Sequence, residues 1–260
     1  MKWLYLAVLH SMGISQRKLR DITPERAQEY YERLDMWLLL TDGHSQETAA
    51  KIVDKKTDAL VERVEHTLQS VRVVHRDDDE YPILLKSLVG APTILYVRGT
   101  LHPNDALISV VGSRKHSQYA ASCVQKIIPG LIRAGYGIVS GWAYGIDTVA
   151  HETALKEKGH TTVVFGSGID VYYPPSSTPF FEKVVAHSGS LVSQFPIGTL
   201  AEPYNFPMRN DIVAGMSRGT LIAEAGEDSG TLITARLALE ANRDVIVIPS
   251  DITRESAVGR

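Results

Sequence analysis

The chain has little cysteine and no long apolar run. Its 260 residues include one cysteine, Cys123, so an internal disulfide is excluded, which fits a reducing compartment. The apolar stretch 1–9 is short and is followed by polar residues without an Ala-x-Ala-like cleavage site, and no uncharged apolar run is long enough to span a bilayer. We interpret Cys123 as a small buried hydrophobe and expect a soluble, cytoplasmic protein without a membrane partner.

An excess of positive charge is also missing. Lysine and arginine number 27 against 30 aspartates and glutamates, which gives a net charge of −3. Because no overall field attracts nucleic acid, any site for a polyanion must be a local patch. Hydrophobic residues make up 44% of the chain and charged residues 22%, as in ordinary globular proteins, and the length favours roughly two domains.

Several cofactor and metal signatures are absent. The chain contains neither the Gly-x-Gly-x-x-Gly fingerprint of dinucleotide-binding proteins nor the Walker A sequence of ATP-hydrolysing ones. Its nine histidines are scattered, and the acidic run 77–80 lacks the spacing of a calcium loop. The sequence therefore predicts no cofactor and no metal.

Residues 1–70 lack strand alternation and are predicted to form a small all-helical domain of the SAM or helix-hairpin-helix kind. Two helices are predicted around a turn at Gly13, and a third begins at Thr23–Pro24–Glu25. Such pieces occur in nucleic-acid-binding bundles and equally in plain helical packing. The domain boundary is placed near residues 70–75, so that 71–260 form the second domain and 71–104 its connector and edge strands.

From residue 105 onwards strand and helix patterns alternate, which predicts an α/β fold with a doubly wound, mostly parallel sheet. Ligands of such sheets bind beyond the carboxyl ends of the strands, where the Gly/Ser-rich loops of this chain fall. The predicted strands are 71–75, 91–99, 106–111, 136–140, 161–165, 191–194, 219–223 and 244–248. The predicted helices are 119–134, 147–158 and 231–242, with 205–215 partly helical.

The first of these loops follows the strand at 106–111. Gly112 permits a tight turn and the close approach of a phosphate, Ser113 adds a hydroxyl, and Arg114 adds a planar cationic fork. Lys115 follows, and then a helix whose N-terminus favours an anion. We interpret the loop as a phosphate-binding turn; a plain turn with a solvated arginine is the alternative.

The second loop contains small residues, Ser140, Gly141 and Gly145, that permit close backbone approach. We interpret Asp147 as the cap of the following helix and His151, one turn later, as a structural hydrogen-bonding residue. A catalytic acid–histidine pair is the alternative. Because no nucleophile stands at a recognisable spacing, no catalytic triad is predicted.

Two further loops repeat these features. Gly166 and Ser167 belong to a Gly-Ser-Gly turn after the next strand. Arg209 and Asn210 stand beside Phe206, and a cation next to an aromatic ring is what sites for single-stranded nucleic acid use. The alternative is that Phe206 belongs to the core and that Asn210 ties the loop to backbone.

A fifth loop holds Ser229, Gly230 and Thr231 at another helix N-terminus, either as an anion-facing turn or as a plain N-cap. The five loops would line one edge of the sheet with accessible donors. The predicted nucleic-acid-binding residues are Gly112, Ser113, Arg114, Lys115, Ser140, Gly141, Gly166, Ser167, Phe206, Arg209, Asn210, Ser229, Gly230 and Thr231.

Together these motifs resemble the DNA-processing protein A (DprA, or Smf) family over roughly residues 75–250. The matching stretches are ValValGlySerArg, SerGlyTrpAlaTyrGlyIleAsp-x-x-AlaHis, GlySerGlyIleAspValTyrTyrPro, AsnPheProMetArgAsn-x-IleValAlaGly and GluAla-x-x-x-SerGlyThrLeuIleThrAla. The resemblance implies an extended Rossmann-like fold without enzymatic activity, single-stranded DNA binding as a homodimer, and loading of a RecA-type recombinase in natural transformation. It also implies that Arg114 contacts phosphate and that Phe206 stacks on a base.

The chain departs from that family where basic residues are common: it has Tyr144, Pro175, Glu202–Pro203–Tyr204 and Asp211 there. Since each lost phosphate contact flattens the salt dependence by about 0.7 for single strands, we expect weaker and less salt-sensitive DNA binding. We also expect that the segment completing the family's core, and any winged-helix domain, lie beyond Arg260.

Two other functions compete with DNA mediation. A Rossmann-like enzyme or sensor of a small nucleotide or nucleotide-sugar phosphate would use similar loops, although the ProGlyGly-x-GlyThr signature of phosphoribohydrolase relatives is absent. A scaffold that binds only protein partners would need no DNA affinity.

Overall fold

The computed structural model describes residues 1–102, 106–226 and 229–249; short parts of the predicted connector and of the fifth loop, and the end of the second domain, lie outside them. The chain opens with the helices Leu4–Met12 (α1), Pro24–Arg33 (α2), Met36–Thr41 (α3), Gln46–Asp54 (α4) and Asp58–Thr67 (α5). Helices α2 to α5 each begin at a side-chain cap: Thr23, Asp35, Ser45 and Thr57 accept backbone N–H groups of the first turn.

The helix predicted directly after Gly13 is wrong. Gly13 ends α1 in a left-handed conformation (φ 111°), and residues 16–21 form turns. Leu19 is the only apolar residue between 15 and 21, and it is buried. One apolar side chain gives no stripe that would hold a short helix against the core.

Eight strands form one sheet in the described part of the chain, in the order β1-β2-β6-β5-β4-β3-β7-β8. They are Arg72–His75 (β1), Ile94–Gly99 (β2), Leu107–Val111 (β3), Gly137–Ser140 (β4), Thr161–Val164 (β5), Ser190–Ser193 (β6), Gly219–Ile222 (β7) and Asp244–Val247 (β8). The pairs β1–β2 and β2–β6 are antiparallel, and all the others are parallel. The predicted doubly wound, mostly parallel α/β sheet is confirmed.

The central strands are buried on both faces, and alternate residues of β3 divide between two hydrophobic clusters. Ile108 and Val110 pack with the helices Gln118–Arg133 (α7) and Ile146–Lys156 (α8). Leu107 and Val111 pack with the helix Asn205–Gly215 (α10), which contacts Gly230–Glu240 (α11). Continuous apolar strands covered on both faces are typical of parallel sheets.

Two helices lie outside the predicted set: Ile83–Lys86 (α6) and Thr178–Ala186 (α9). The sequence around the start of α9, SerSerThrPro, has loop-forming composition, although Pro179 stands within the first helical turn, where proline is tolerated. Phe181 buries α9 against the sheet. Cys123, on α7, is partly rather than fully buried.

The N-terminal helices share a hydrophobic cluster with the sheet, in which Leu6 and Leu9 of α1 lie with Tyr96 and Phe181. The side chain of Gln16 joins the two parts further, because its amide donates to Ile94 O (3.1 Å) and Gln194 O (2.8 Å). The division into domains near residue 70 stays a prediction.

The strand order fixes where a ligand site is expected. From β3 the chain proceeds through β4, β5 and β6 on one side and returns to β7 and β8 on the other. The loops that follow β3 and β7 therefore diverge at their carboxyl ends, which is the switch point at which open α/β sheets bind ligands. No helix within the described residues is long and apolar enough to cross a membrane.

Candidate nucleic-acid interface

Two adjoining pockets open at the carboxyl edge of the sheet. The switch-point pocket, of about 580 Å³, is lined by Val111, Gly112, Ser113, Arg114, Lys115, Ala143, Asp147, Pro203, Phe206, Pro207, Arg209, Asn210, Gly226, Ser229, Gly230, Thr231, Ile233 and Thr234. The aromatic pocket, of about 160 Å³, is lined by Arg114, Gly141, Trp142, Ala143, Tyr144, Phe165, Gly166, Ser167, Tyr173, Pro174 and Phe206. Arg114, Ala143 and Phe206 line both pockets. The structure thus brings residues of all five predicted loops to one site.

The loop after β3 presents two cationic side chains to the switch-point pocket. Ser113 N–H donates to Glu224 O (2.7 Å), and the Ser113 hydroxyl accepts from Lys115 N–H (3.1 Å), which fixes the turn. Arg114 and Lys115 are exposed, and neither side chain forms an ion pair with any carboxylate of the described residues. Both charges are therefore available to an anionic ligand.

The expectation that the next helix N-terminus accepts a phosphate is wrong for α7. This helix begins at Gln118, three residues beyond Lys115, with Ser117 as its cap. Ser117 N–H and hydroxyl both donate to Oε2 of the buried Glu224, at 2.8 and 2.7 Å. The anion at this helix N-terminus is the chain's own carboxylate, which ties β7 to the start of α7.

Gly145 allows the second loop to lie directly on the first. Its φ of 94° is in the left-handed region, and a Cβ there would lie 2.4 Å from Ser113 O and 2.8 Å from the Cα of Arg114. Ile146 N–H, at the start of α8, donates to Ser113 O (3.4 Å). A larger residue at position 145 would displace the backbone that carries Arg114.

Asp147 does not cap its own helix, which corrects the sequence interpretation. It is the second residue of α8, and Gly145 occupies the cap position without a side-chain bond. Asp147 Oδ2 instead accepts Gly141 N–H and Ala143 N–H, both at 3.2 Å. Burial raises the pKa of this carboxyl, while Arg209 and these amide donors act in the opposite direction. The carboxylate organises the loop after β4.

His151 lies in the interior beneath the site. It is fully buried, and its Nδ1 is 2.7 Å from Thr161 Oγ1. Burial lowers the pKa of His151 to about 3, and Arg209 adds to this. A neutral, buried imidazole bonded to a threonine has no access to a substrate, so the acid–histidine alternative finds no support in the geometry.

Arg209 lines the switch-point pocket but is buried, so it is not the exposed cation beside an aromatic ring that the sequence suggested. Its guanidinium donates to Gly141 O and Val164 O, and its Nε donates to Asn210 Oδ1 (3.0 Å). Burial lowers the pKa of Arg209 to about 10, which leaves it protonated at neutral pH. It clamps the ends of β4 and β5 from inside, and Asn210 bonds to this clamp rather than to backbone.

The glycines at the strand ends are covered by the chain's own side chains. A Cβ at Gly112 would lie 2.6 Å from Ile146, at Gly141 1.9 Å from the Arg209 guanidinium carbon, and at Gly166 2.8 Å from the Phe206 ring. Close approach is required at all three, as predicted from the residue type. The approaching group is protein and not phosphate.

The hydroxyls of Ser140 and Ser167 are used internally, so these two residues can offer a ligand only their backbone. Ser140 Oγ donates to Val110 O (2.7 Å), and Ser167 Oγ donates to Val171 O (2.7 Å). Both serines are buried. They fix the strand ends and their loops.

The fifth loop forms one wall of the switch-point pocket. Ser229 caps α11 by accepting Thr231 N–H (3.2 Å). Gly230 is exposed and Thr231 is buried. These bonds agree with the interpretation of the loop as a plain N-cap. Ser229, Gly230 and Thr231 nevertheless all line the pocket. Among the described residues there is no group of three His, Cys, Asp or Glu that could hold a metal.

Sequence reasoning missed most of the aromatic side chains around the site. Tyr144, Tyr173 and Tyr204 are 70%, 54% and 66% exposed. Phe206 is half-buried against Gly166, with its ring centroid 6.2 Å from that of Tyr173. These tyrosines could have been noticed in the sequence, because Tyr144 and the segment around Tyr204 stand where the family commonly has basic residues.

The contact between Gly141 and Arg209 makes a testable prediction. Gly141→Ala would push the guanidinium off both carbonyls, so we expect the free energy of unfolding to fall by about 1–3 kcal/mol, as for overpacked cores. Gly130→Ala, on α7 with open space around it, is the control and should gain about 0.5–1 kcal/mol. Urea unfolding measures both; equal stability of Gly141→Ala and wild type would contradict the clamp.

Fold and site together define a class: an α/β protein with an extended Rossmann-like sheet that presents cationic and aromatic side chains at its topological switch point. Residues 72–260 match the family described as DNA recombination-mediator protein A. The chain belongs to this family, so the resemblance found in the sequence is confirmed.

Curated relatives agree. The chain is similar to Protein Smf of Synechocystis sp., 38% identical over 200 residues, which are 75% of this chain and 50% of that protein. It is also similar to DNA processing protein DprA of Streptococcus pneumoniae, 41% identical over 179 residues, which are 67% of this chain and 62% of that protein. The matches thus span 50% and 62% of the length of these two relatives.

Solved structures match as well. The X-ray structure of DprA from Streptococcus pneumoniae superposes with a TM-score of 0.76 at 33% identity, covering 97% of this chain and 89% of that one. DNA processing protein A from Helicobacter pylori, described for its single-stranded DNA binding mode, matches with a TM-score of 0.64 over 72% of this chain and 84% of that one. At 23% identity the second match supports the fold alone.

Proposed function

We propose that this chain binds single-stranded DNA at the two pockets and acts as a non-catalytic recombination mediator. The observation that carries the proposal is the placement of Arg114 and Lys115. Both are exposed at the sheet edge without a carboxylate partner in the described residues, and Arg114 adjoins an aromatic pocket. Cations that follow a phosphate backbone beside rings that stack on bases are the recognition mode for single strands.

The polar side chains that could take part in catalysis form hydrogen bonds within the protein instead. Asp147 accepts two loop amides, His151 is buried against Thr161, and Arg209 is held by carbonyl groups. This supports a binding role over a catalytic one.

The family description, DNA recombination-mediator protein A, supports a role in recombination, and the finer part of the proposal extends that role. We expect the chain to load a RecA-type recombinase onto incoming strands in natural transformation and to act as a homodimer. It would do so in the cytoplasm, where the incoming strand and the recombinase come together. A pull-down with the recombinase tests that partner, and the molar mass in solution tests whether two copies of the chain associate.

DNA binding is tested by fluorescence anisotropy with a poly-dT oligomer at several salt concentrations. We expect Arg114→Ala to weaken binding by about tenfold at low salt and to flatten the slope of log affinity against log salt by about 0.7, since one phosphate contact is lost. Arg133→Ala, exposed at the opposite end of α7, is the matched control and should change neither. Absence of wild-type binding at low salt would contradict the proposal.

A small-molecule function has one observation in its favour, which is the volume of the switch-point pocket. About 580 Å³ lies in the range of small-ligand sites. A sensor or enzyme would show saturable binding of a nucleoside monophosphate, or release of its base, without affinity for poly-dT. A titration with both ligands decides between the two functions.

A further inference from the structure

The segment 13–22, between α1 and α2, carries a cluster of positive charge and is called the basic turn below. Arg17, Lys18 and Arg20 are exposed, and Asp21 is its one carboxylate, so the segment has a charge of +2 in a chain whose net charge is −3. Lys18 Nζ donates to Asp42 O. Neither Arg17 nor Arg20 forms an ion pair within the described residues, so both guanidinium groups are available to an anion.

The backbone of the basic turn is fixed to the sheet. Gln16 Nε2 donates to Ile94 O (3.1 Å) and Gln194 O (2.8 Å), and Gln16 Oε1 accepts Ile94 N–H (2.8 Å). Thr93 Oγ1 donates to Gln16 O (2.6 Å), and the Leu19 side chain is fully buried. The exposed cations therefore extend from a backbone that is held in place on both sides.

These bonds place the basic turn at the carboxyl edge of the parallel strands. Strand β2 is antiparallel to β6, so Ile94 at the start of β2 and Gln194 just after β6 lie at the same edge as the two pockets. Gln194 Nε2 donates to Met208 O (3.1 Å) of α10. Because Phe206 of the same helix lines both pockets, the surface is continuous from the pockets to the basic turn.

The strand order gives the distance between the two cationic regions. In the sheet, β6 lies three strands from β3 and β2 lies four strands from it, which at about 4.8 Å per strand is ~14–19 Å. A stacked single strand rises ~3.4 Å per nucleotide, so this distance corresponds to about four to six nucleotides. The loops after β4 and β5, which lie between, expose the uncharged rings of Tyr144 and Tyr173. Cations thus stand at both ends of a path of this length.

We propose that the basic turn is a second phosphate-binding site for the single strand held at the pockets, with Arg17 and Arg20 as the contacting residues. The planar guanidinium fork matches the phosphate oxygens. The proposal rests on the proposed function and extends the DNA interface from the sheet to the N-terminal helical part of the chain. A strand long enough to reach from Arg114 to the basic turn gains contacts that a shorter one lacks.

The test compares oligo-dT of about 15 nucleotides, which reaches both sites, with a tetramer, whose three phosphates span only ~7 Å at stacked spacing. The double variant Arg17→Ala/Arg20→Ala should bind the long oligomer about tenfold more weakly at low salt. Its slope of log affinity against log salt should flatten by about 1.4, since two phosphate contacts are lost. Its affinity for the tetramer, measured by competition, should stay that of the wild type. Arg17→Lys/Arg20→Lys keeps both charges and should retain the slope.

The controls separate this inference from the function on which it rests. Arg133→Ala, at the far end of α7, should change neither oligomer, and the double alanine variant should unfold at the wild-type urea concentration because both positions are exposed. If that variant binds the long oligomer as the wild type does, or weakens both oligomers alike, the second site is wrong and DNA binding at the pockets stands. If the wild type binds neither oligomer, the proposed function fails and the second site with it.

Discussion

Replacing Arg209 by methionine is expected to lower the free energy of unfolding by about 3–5 kcal/mol, the cost of removing one partner from a buried charge arrangement. The side chain is only 4% exposed. Its guanidinium holds the carbonyls of Gly141 and Val164 and lies near enough to Asp147 to counter the rise that burial causes in that carboxyl's pKa. Methionine fills similar space but leaves the carbonyls without donors and the carboxylate without a cation.

The second half of the experiment isolates the charge. Asp147→Asn keeps an oxygen that accepts Gly141 N–H and Ala143 N–H, yet it removes the negative charge. We therefore expect Arg209→Met to cost less in the Asp147→Asn background than in wild type, with a coupling of about 0.5–3 kcal/mol in a double-mutant cycle. Urea unfolding of the four proteins supplies the cycle.

The same variants distinguish a structural arginine from a ligand-binding one. If Arg209 contacted phosphate from the surface, Arg209→Met would unfold at the wild-type urea concentration and lose DNA affinity with a flatter salt slope. If Arg209 is instead a buried clamp, Arg209→Met should unfold at a lower urea concentration than the wild type. Arg114→Ala, at an exposed position, should show the surface behaviour.

This pair of arginines shows where sequence reasoning stopped. Both were predicted to bind nucleic acid, Arg114 because it follows Gly112 and Ser113, and Arg209 because it stands near Phe206. Arg114 is exposed, whereas Arg209 is the fifth residue of α10 and is buried. Only the packing of α10 over the ends of β4 and β5 separates them, and no local pattern in the sequence encodes that packing.

The sheet was predictable because each of its strands carries its own signal. Each strand from β1 to β8 overlaps a predicted one, since short runs rich in apolar and β-branched residues mark them, as in Leu107–Val111, which is followed by Gly112. The missed helix α9 lacked such a signal: its start has loop composition, and its burial depends on Phe181 meeting the core. The sequence predicted that another group lies close to Gly112, Gly141 and Gly166. It did not predict which group, because the side chains that do so, Ile146, Arg209 and Phe206, are distant in sequence.

Acid is expected to destabilise the fold well above the pH at which carboxylates usually titrate. His10 and His151 are buried, and burial lowers the pKa of each to about 3. In the unfolded chain a histidine has a pKa near 6.5. Between pH 6.5 and about 3 the unfolded state therefore binds protons that the folded state does not, so the free energy of unfolding rises with pH throughout this window.

The magnitude follows from the same linkage. Between pH 7 and pH 5 each of these histidines should remove about 2 kcal/mol of stability. His160, whose pKa burial lowers to about 4, acts in the same direction. Asp147 acts in the opposite direction, because its pKa is raised in the folded state. Measured by urea unfolding at intervals of half a pH unit, stability should fall steeply below pH 6.5.

Substitutions assign this slope to the interior. His151→Gln keeps a polar group beside Thr161, and His10→Gln keeps one beside the Tyr96 hydroxyl, 3.0 Å from His10 Nδ1 in the wild type. Each variant should be less stable at pH 7 but should lose less stability on acidification, because it removes one group that the unfolded chain protonates. His66→Gln, at an exposed position on α5, should leave the slope as it is. An unchanged slope in both buried variants would place the acid sensitivity in the carboxylates, and the interior histidines would then titrate as they do in the unfolded chain.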